Sequence, residues 1–146
     1  MIVEAHRVHP SEEIDWTLHD GDEEWEERDR AIRNGMITDL LTSGRSVQYR
    51  STGHSLKPVV YSGDVTMWGP VTDHSTLVVG DIVFCLVQPT QRYYGHAIHM
   101  IGDWGGKTFW QIGNLKDPPH MNGWCYAEHI YGVVFEVSGI QPASGP

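Results

Sequence analysis

From Gly44 onward the chain breaks into short runs of Val, Ile, Tyr, Phe and Trp, each bounded by Gly, Pro, Asp or Asn. Such runs between breakers predict strands. They fall at 46–52, 64–68, 79–87, 93–101, 107–112 and 129–137. A chain patterned this way over most of its length is expected to be mainly β.

The texture before Gly44 differs. Residues 22–43 read as an amphipathic helix. Asp22 caps its start, and Glu23, Glu24, Glu26 and Glu27 lie at the positive end of its dipole. Trp25, Ile32, Met36 and Leu40 recur at spacings of seven and four and mark one face. Arg28, Arg30 and Arg33 follow the acids at helical spacing, and Gly44 ends the element. Residues 1–20 show no sustained period, and 138–146 is a tail with little to fold around. The organisation expected is an acidic arm and helix over 1–44, a β domain over 45–137, and a tail over 138–146.

Charge narrows the partners. The chain has 146 residues and a net charge of −9, and eleven of its nineteen acids lie in the first thirty residues. An acidic chain repels phosphate backbones, so nucleic acid is not an expected partner. The acidic N-terminal segment could instead dock a protein assembly. No run of about 18 apolar residues occurs, and no apolar leader opens the chain, so no membrane span is expected. The expected location is the cytoplasm, or alternatively a virion or other particle. Cys85, inside the apolar run 82–87, reads as a buried thiol. Two cysteines are too few for a disulfide framework or a four-cysteine zinc site.

One stretch points to chemistry. Ser55 follows Gly53-His54 and precedes Pro58, so it sits in a tight turn where its hydroxyl can project free of the backbone. Such a serine becomes a nucleophile only with a base nearby. Gly63-Asp64 and Gly80-Asp81-Ile82-Val83 each open a strand, and Gly95-His96-Ala97-Ile98-His99-Met100 supplies two imidazoles. On a regular strand His96 and His99 point to opposite faces. A zinc site built from His54, His96, His99 and His120 is disfavoured on that ground, so no metal and no cofactor are expected.

Gly53-His54-Ser55-Leu56-Lys57-Pro58, the two Gly-Asp strands, His96, Gly113-Asn114 and Ile130-Tyr131-Gly132-Val133-Val134 together resemble the S24/S26 peptidase superfamily. That superfamily holds LexA-type repressors and signal peptidases. The resemblance spans 44–137 and implies a coiled, partly barrel-like antiparallel β domain of that type. It implies Ser55 as nucleophile and His96 as general base, with His99 second for that role. The backbone N–H of Ser55 would serve an oxyanion. Gly53, His54, Asn114 and Asp117 would support the site.

The pattern departs from the family at three places. Leu56 stands where methionine is usual. Gly53 stands where many signal peptidases carry a serine. Asn114 stands where the histidine-using members carry aspartate, and Asp117 is the nearest carboxylate in sequence. The activity implied is cleavage of a peptide bond, in the chain itself or in a protein partner, by a soluble Ser-His peptidase without a membrane anchor. The alternative is an inactive form of the fold used as a structural or interaction protein. Trp104, Phe109, Trp110, Trp124 and Tyr126 read as strand packing rather than an aromatic substrate cleft.

Overall fold

The computed structural model describes residues 23–51 and 53–139, with helix side chains from Ala31 onward. One helix, α1 (Glu23–Thr42), precedes seven strands: β1 (Val47–Arg50), β2 (Val65–Pro70), β3 (Ile82–Val87), β4 (Arg92–Trp104), β5 (Lys107–Gly113), β6 (Met121–Tyr126) and β7 (Ile130–Ser138). All pairings are antiparallel, in the order β1-β2-β7-β3-β4-β5-β6. The protein is therefore mainly β, as its sequence pattern predicts. The sheet is not closed into a barrel. It curls far enough for Gln88, just past β3, to bridge Trp124 of β6 through two backbone hydrogen bonds of 2.7 and 3.1 Å. The arm before α1 and the tail after Gly139 lie outside the described residues.

The two Gly-Asp doublets build the same turn twice. Asp64 N–H donates to the Tyr61 carbonyl (3.0 Å), and the Asp64 carboxylate accepts from Tyr61 N–H (2.8 Å). Asp81 N–H donates to the Val78 carbonyl (3.1 Å), and its carboxylate accepts from Val78 N–H (2.9 Å). Gly63 and Gly80 take φ of +94° and +102°, the left-handed position that a type II turn reserves for glycine. Strands β2 and β3 start directly after these aspartates.

Strand β3 divides two cores. Ile82 and Phe84 face one, with Val47, Trp68, Ala97 and the helix residues Ile37 and Leu41. Val83, Cys85 and Val87 face the other, with Ile98, Trp110, Ile112 and Cys125 inside the curl of β3 to β6. Burial on both faces accounts for the unbroken apolar run 82–87.

The helix docks on a face that keeps Leu40 of the expected stripe, which packs against the core, but not Ile32 or Met36. Ile32 and Met36 are 57% and 47% exposed, while Ile37 and Leu41 are almost fully buried. The sequence offers two adjacent apolar stripes, and the sheet selects the one whose Leu41 fits closely over Gly132. The helix shares a core with the strands through Ile37 and Leu41.

Strand β6 lies outside the six predicted runs. Gly123 takes φ +144°, and a Cβ there would come within 1.9 Å of the Gln88 carbonyl oxygen. The glycine marks a close backbone crossing inside a strand.

Candidate active site

The loop carrying Ser55 is fixed at three points. Its base continues the β1–β2 ladder, with Ser51 N–H on the Asp64 carbonyl (2.7 Å) and Gly63 N–H on the Ser51 carbonyl (2.8 Å). Gly53 turns the chain with φ +86°. After Ser55, the Leu56 carbonyl accepts from Val59 and Val60 N–H, while Val60 is buried and Leu56 packs against the same core. From the opposite side, Leu115 N–H donates to the Ser55 carbonyl at 2.7 Å. The Ser55 N–H itself donates to no acceptor among the described residues.

A cavity of about 600 Å³ opens beside this loop. Helix α1 walls it with Ala31, Arg33, Asn34 and Ile37, and Tyr49 and Ser51 follow from β1 and its end. Strand β4 contributes Arg92, Tyr93, Tyr94, Gly95 and His96. Ser55 and His96 therefore line one space. Withdrawal from water pushes the Tyr49 phenol up to about 12, and the Arg33 guanidinium pulls it the other way.

His96 is oriented from behind. Its Nδ1 lies 2.6 Å from Oδ1 of Asn122. An amide oxygen can only accept, so the neutral ring carries its proton on Nδ1 and keeps the Nε2 lone pair. The ring of Tyr94 stands 5.2 Å away. Burial, first, holds the imidazole below the ordinary histidine range. The Asn122 bond opposes that shift, and the charges of His120 and His99 add to it. The imidazole is therefore neutral at pH 7.

No hydrogen bond joins Ser55 Oγ to His96 among the described residues. The other expected site residues take separate places. Asn114 is buried and makes no hydrogen bond to the His96 ring among the described residues. Its Oδ1 accepts from Lys116 and His120 N–H, at 3.1 and 2.9 Å, and so shapes the 114–120 loop. Asp117 is exposed on that loop, away from any hydrogen bond to an imidazole. His54 is exposed next to Ser55 and is not on the cavity wall. His99 Nε2 lies 2.6 Å from the Asn114 carbonyl, one residue from the Leu115–Ser55 bond. Among the described residues, no cluster of three His, Cys, Asp or Glu could hold a metal.

Asn122 is the residue that sequence reasoning misses, and two β-bulges explain why. Ile98 pairs Ile112 and Met100 pairs Gln111, which leaves His99 unpaired. Ile112 pairs Gly123 and Gly113 pairs Met121, which leaves Asn122 unpaired. Each bulge resets the alternation of faces beyond it, and His99 and Asn122 are themselves the bulged residues. The one sequence signal was Asn122-Gly123 itself, a dipeptide ordinarily read as a turn.

The aromatic cluster of the last third stays outside this cavity. Trp110 is buried, Trp104 packs edge-on to Phe109, and Lys107 Nζ sits 4.2 Å over the Tyr126 ring. No helix among the described residues is long and apolar enough to cross a membrane. Compared with protein-family models, curated proteins and solved structures, the chain finds no match.

Proposed function

We propose that this protein is a serine peptidase-like domain of the S24/S26 type, acting on a peptide through Ser55 with His96 as general base. The observation that carries the reading is the shared cavity: Ser55, whose backbone N–H is unengaged among the described residues, and His96, whose tautomer Asn122 sets, both line it. In the reaction, His96 Nε2 takes the hydroxyl proton as Oγ attacks the scissile carbonyl. The protonated ring then returns that proton to the leaving amine, and water hydrolyses the acyl-enzyme by the reverse sequence. Asn122 orients the ring without supplying the negative charge that a carboxylate would bring.

His99 is the second candidate base, because it bonds the Asn114 carbonyl beside the Leu115–Ser55 contact. A structural or interaction role is favoured in turn by the unmade Ser55–His96 bond and by the lack of a carboxylate behind either imidazole among the described contacts. A serine-reactive fluorophosphonate separates these readings. Labelling of Ser55 that is lost in Ser55→Ala and His96→Gln supports the dyad. Loss in His99→Gln alone moves the base to His99. No labelling of the wild type leaves the structural role.

A further inference from the structure

The peptide unit between Asn114 and Leu115 is bonded on both of its sides. Its carbonyl, that of Asn114, lies 2.6 Å from His99 Nε2. Its N–H, that of Leu115, donates to the Ser55 carbonyl at 2.7 Å. A carbonyl oxygen only accepts, so the His99 ring carries a proton on Nε2 and donates it. The two bonds share one rigid plane, because the atoms of a peptide group are coplanar. Rotation of that plane weakens both at once. His99 is thereby linked to the Ser55 carbonyl through a single peptide group.

The surroundings hold this unit in place. Asn114 N–H donates to the His120 carbonyl (3.0 Å), and its Oδ1 accepts from Lys116 and His120 N–H. The Leu115 side chain packs against the same core as Leu56, the residue after Ser55. His99 has no pairing partner on β5, being the bulged residue between Ile98 and Met100. A bulge re-aims its side chain, and this half-buried ring meets the Asn114 carbonyl. Ser55 and His96 line the cavity, and His99 is not among its lining residues.

We infer that His99 is a positioning residue for Ser55: it holds the Asn114–Leu115 peptide plane, and that plane holds the Ser55 carbonyl. The peptide plane after Ser55 includes its Cα, so a fixed carbonyl limits where that Cα and its Oγ can stand. Hydrogen bonds joined through one amide also polarise each other, so loss of the first weakens the second. The role rests on the peptidase reading for its purpose, but the brace itself can be measured without chemistry at Ser55. It gives His99 a task other than that of a second base. A base needs a lone pair facing the hydroxyl, whereas the brace needs an N–H facing a carbonyl.

The experiment compares the full chain with its His99→Gln and His99→Leu variants. A glutamine amide can donate where the ring does, and leucine cannot. Fluorophosphonate labelling is followed against reagent concentration and pH. In His99→Leu the maximal rate is expected to fall about tenfold to a hundredfold, with the half-saturating concentration little changed, because the nucleophile is misplaced rather than the reagent excluded. The pH at which the rate levels off should stay that of the wild type, since His96 remains the base. His99→Gln should recover most of the rate. Amide hydrogen exchange reads the brace directly. Leu115 N–H should exchange about tenfold faster in His99→Leu, beyond any change at Val83 in the core, and return toward the wild-type rate in His99→Gln. In the wild type itself, histidine nitrogen NMR at about pH 8 should show His99 protonated on Nε2.

Labelling of His99→Leu at the wild-type rate overturns the inference. So does His99→Gln as slow as His99→Leu, and a changed pH dependence in both would make His99 the base. A Leu115 amide that exchanges alike in all three proteins, or a His99 ring protonated on Nδ1 alone, also overturns it. If the wild type is not labelled at all, the peptidase reading fails and the exchange data decide. A Leu115 amide protected by histidine or glutamine and released by leucine then keeps the brace.

Discussion

The Nδ1 atom of His96 and the Oδ1 atom of Asn122 meet at 2.6 Å, although one sits on β4 and the other is the bulged residue of β6. The strand between them, β5, pairs with both. An amide thus does the orienting that a carboxylate does in a Ser-His-Asp arrangement. It fixes the tautomer of the ring but offers no counter-charge when the ring is protonated.

Asn122→Leu should remove the orienting acceptor and leave the fold standing, since the bulge needs no particular side chain. Labelling of Ser55 is expected to slow by about one to two orders of magnitude, within the range of a positioned general base. Histidine nitrogen NMR should show His96 losing its Nδ1–H form. Asn122→Asp should keep that tautomer and raise the His96 pKa.

The protonation of His96 sets two pH dependences. Base catalysis needs the neutral ring, so labelling should rise with pH through a pKa below the usual 6.5 and be level by pH 7. The same depressed pKa acts on stability. Between it and the unfolded value the unfolded chain binds more protons, so stability rises with pH in that window. The His96 contribution is full above about pH 6.5 and is lost as pH falls through the folded value. Thermal melts from about pH 4 to 8 should show a slope in the wild type that His96→Gln reduces. Equal slopes in both proteins would sink this assignment.

The thiols of Cys85 and Cys125 should be inert in the folded protein. Both are fully buried, and burial pushes the Cys85 thiol well up, with the neighbouring Cys125 adding to the shift. A chromogenic disulfide reagent at neutral pH should titrate no thiol in the native chain and both after denaturation. Rapid native reaction would contradict the two-core packing.

Gly123→Ala tests the curl of the sheet. The new Cβ would collide with the Gln88 carbonyl and with Val87 Cγ1, at 1.9 and 2.7 Å. Relieving that contact opens the bridge between β3 and β6. A loss of about 2–4 kcal/mol is expected in denaturant unfolding, from backbone strain together with the lost packing. A variant as stable as the wild type would mean that the crossing is not as close as described.

How far the sequence foretells this structure depends on the kind of signal each residue carries. Gly63-Asp64 and Gly80-Asp81 are legible because their turn chemistry is local: a glycine with positive φ and an aspartate bonded to the residue three positions before it. The apolar run 82–87 is legible because two-sided burial leaves no polar position. The docking face of α1 is not, because Met36 and Ile37 are equally apolar neighbours and only the sheet chooses between them. Ser55 and His96 can be named from their motifs, and the structure places both on one cavity. Their support cannot be read in the same way. Asn122 reaches His96 through a bulge, and a bulge is the one event that a period of two does not encode.

The central claim is that Ser55 is an activated nucleophile served by His96, and the direct measurement is intact-protein mass spectrometry after fluorophosphonate treatment across about pH 6 to 9. The account predicts one adduct, mapped to the peptide containing Ser55. It should be absent from Ser55→Ala and strongly reduced in His96→Gln, with the rate already level at pH 7. An unmodified wild type over the whole range, or an adduct that persists unchanged in His96→Gln, would contradict it.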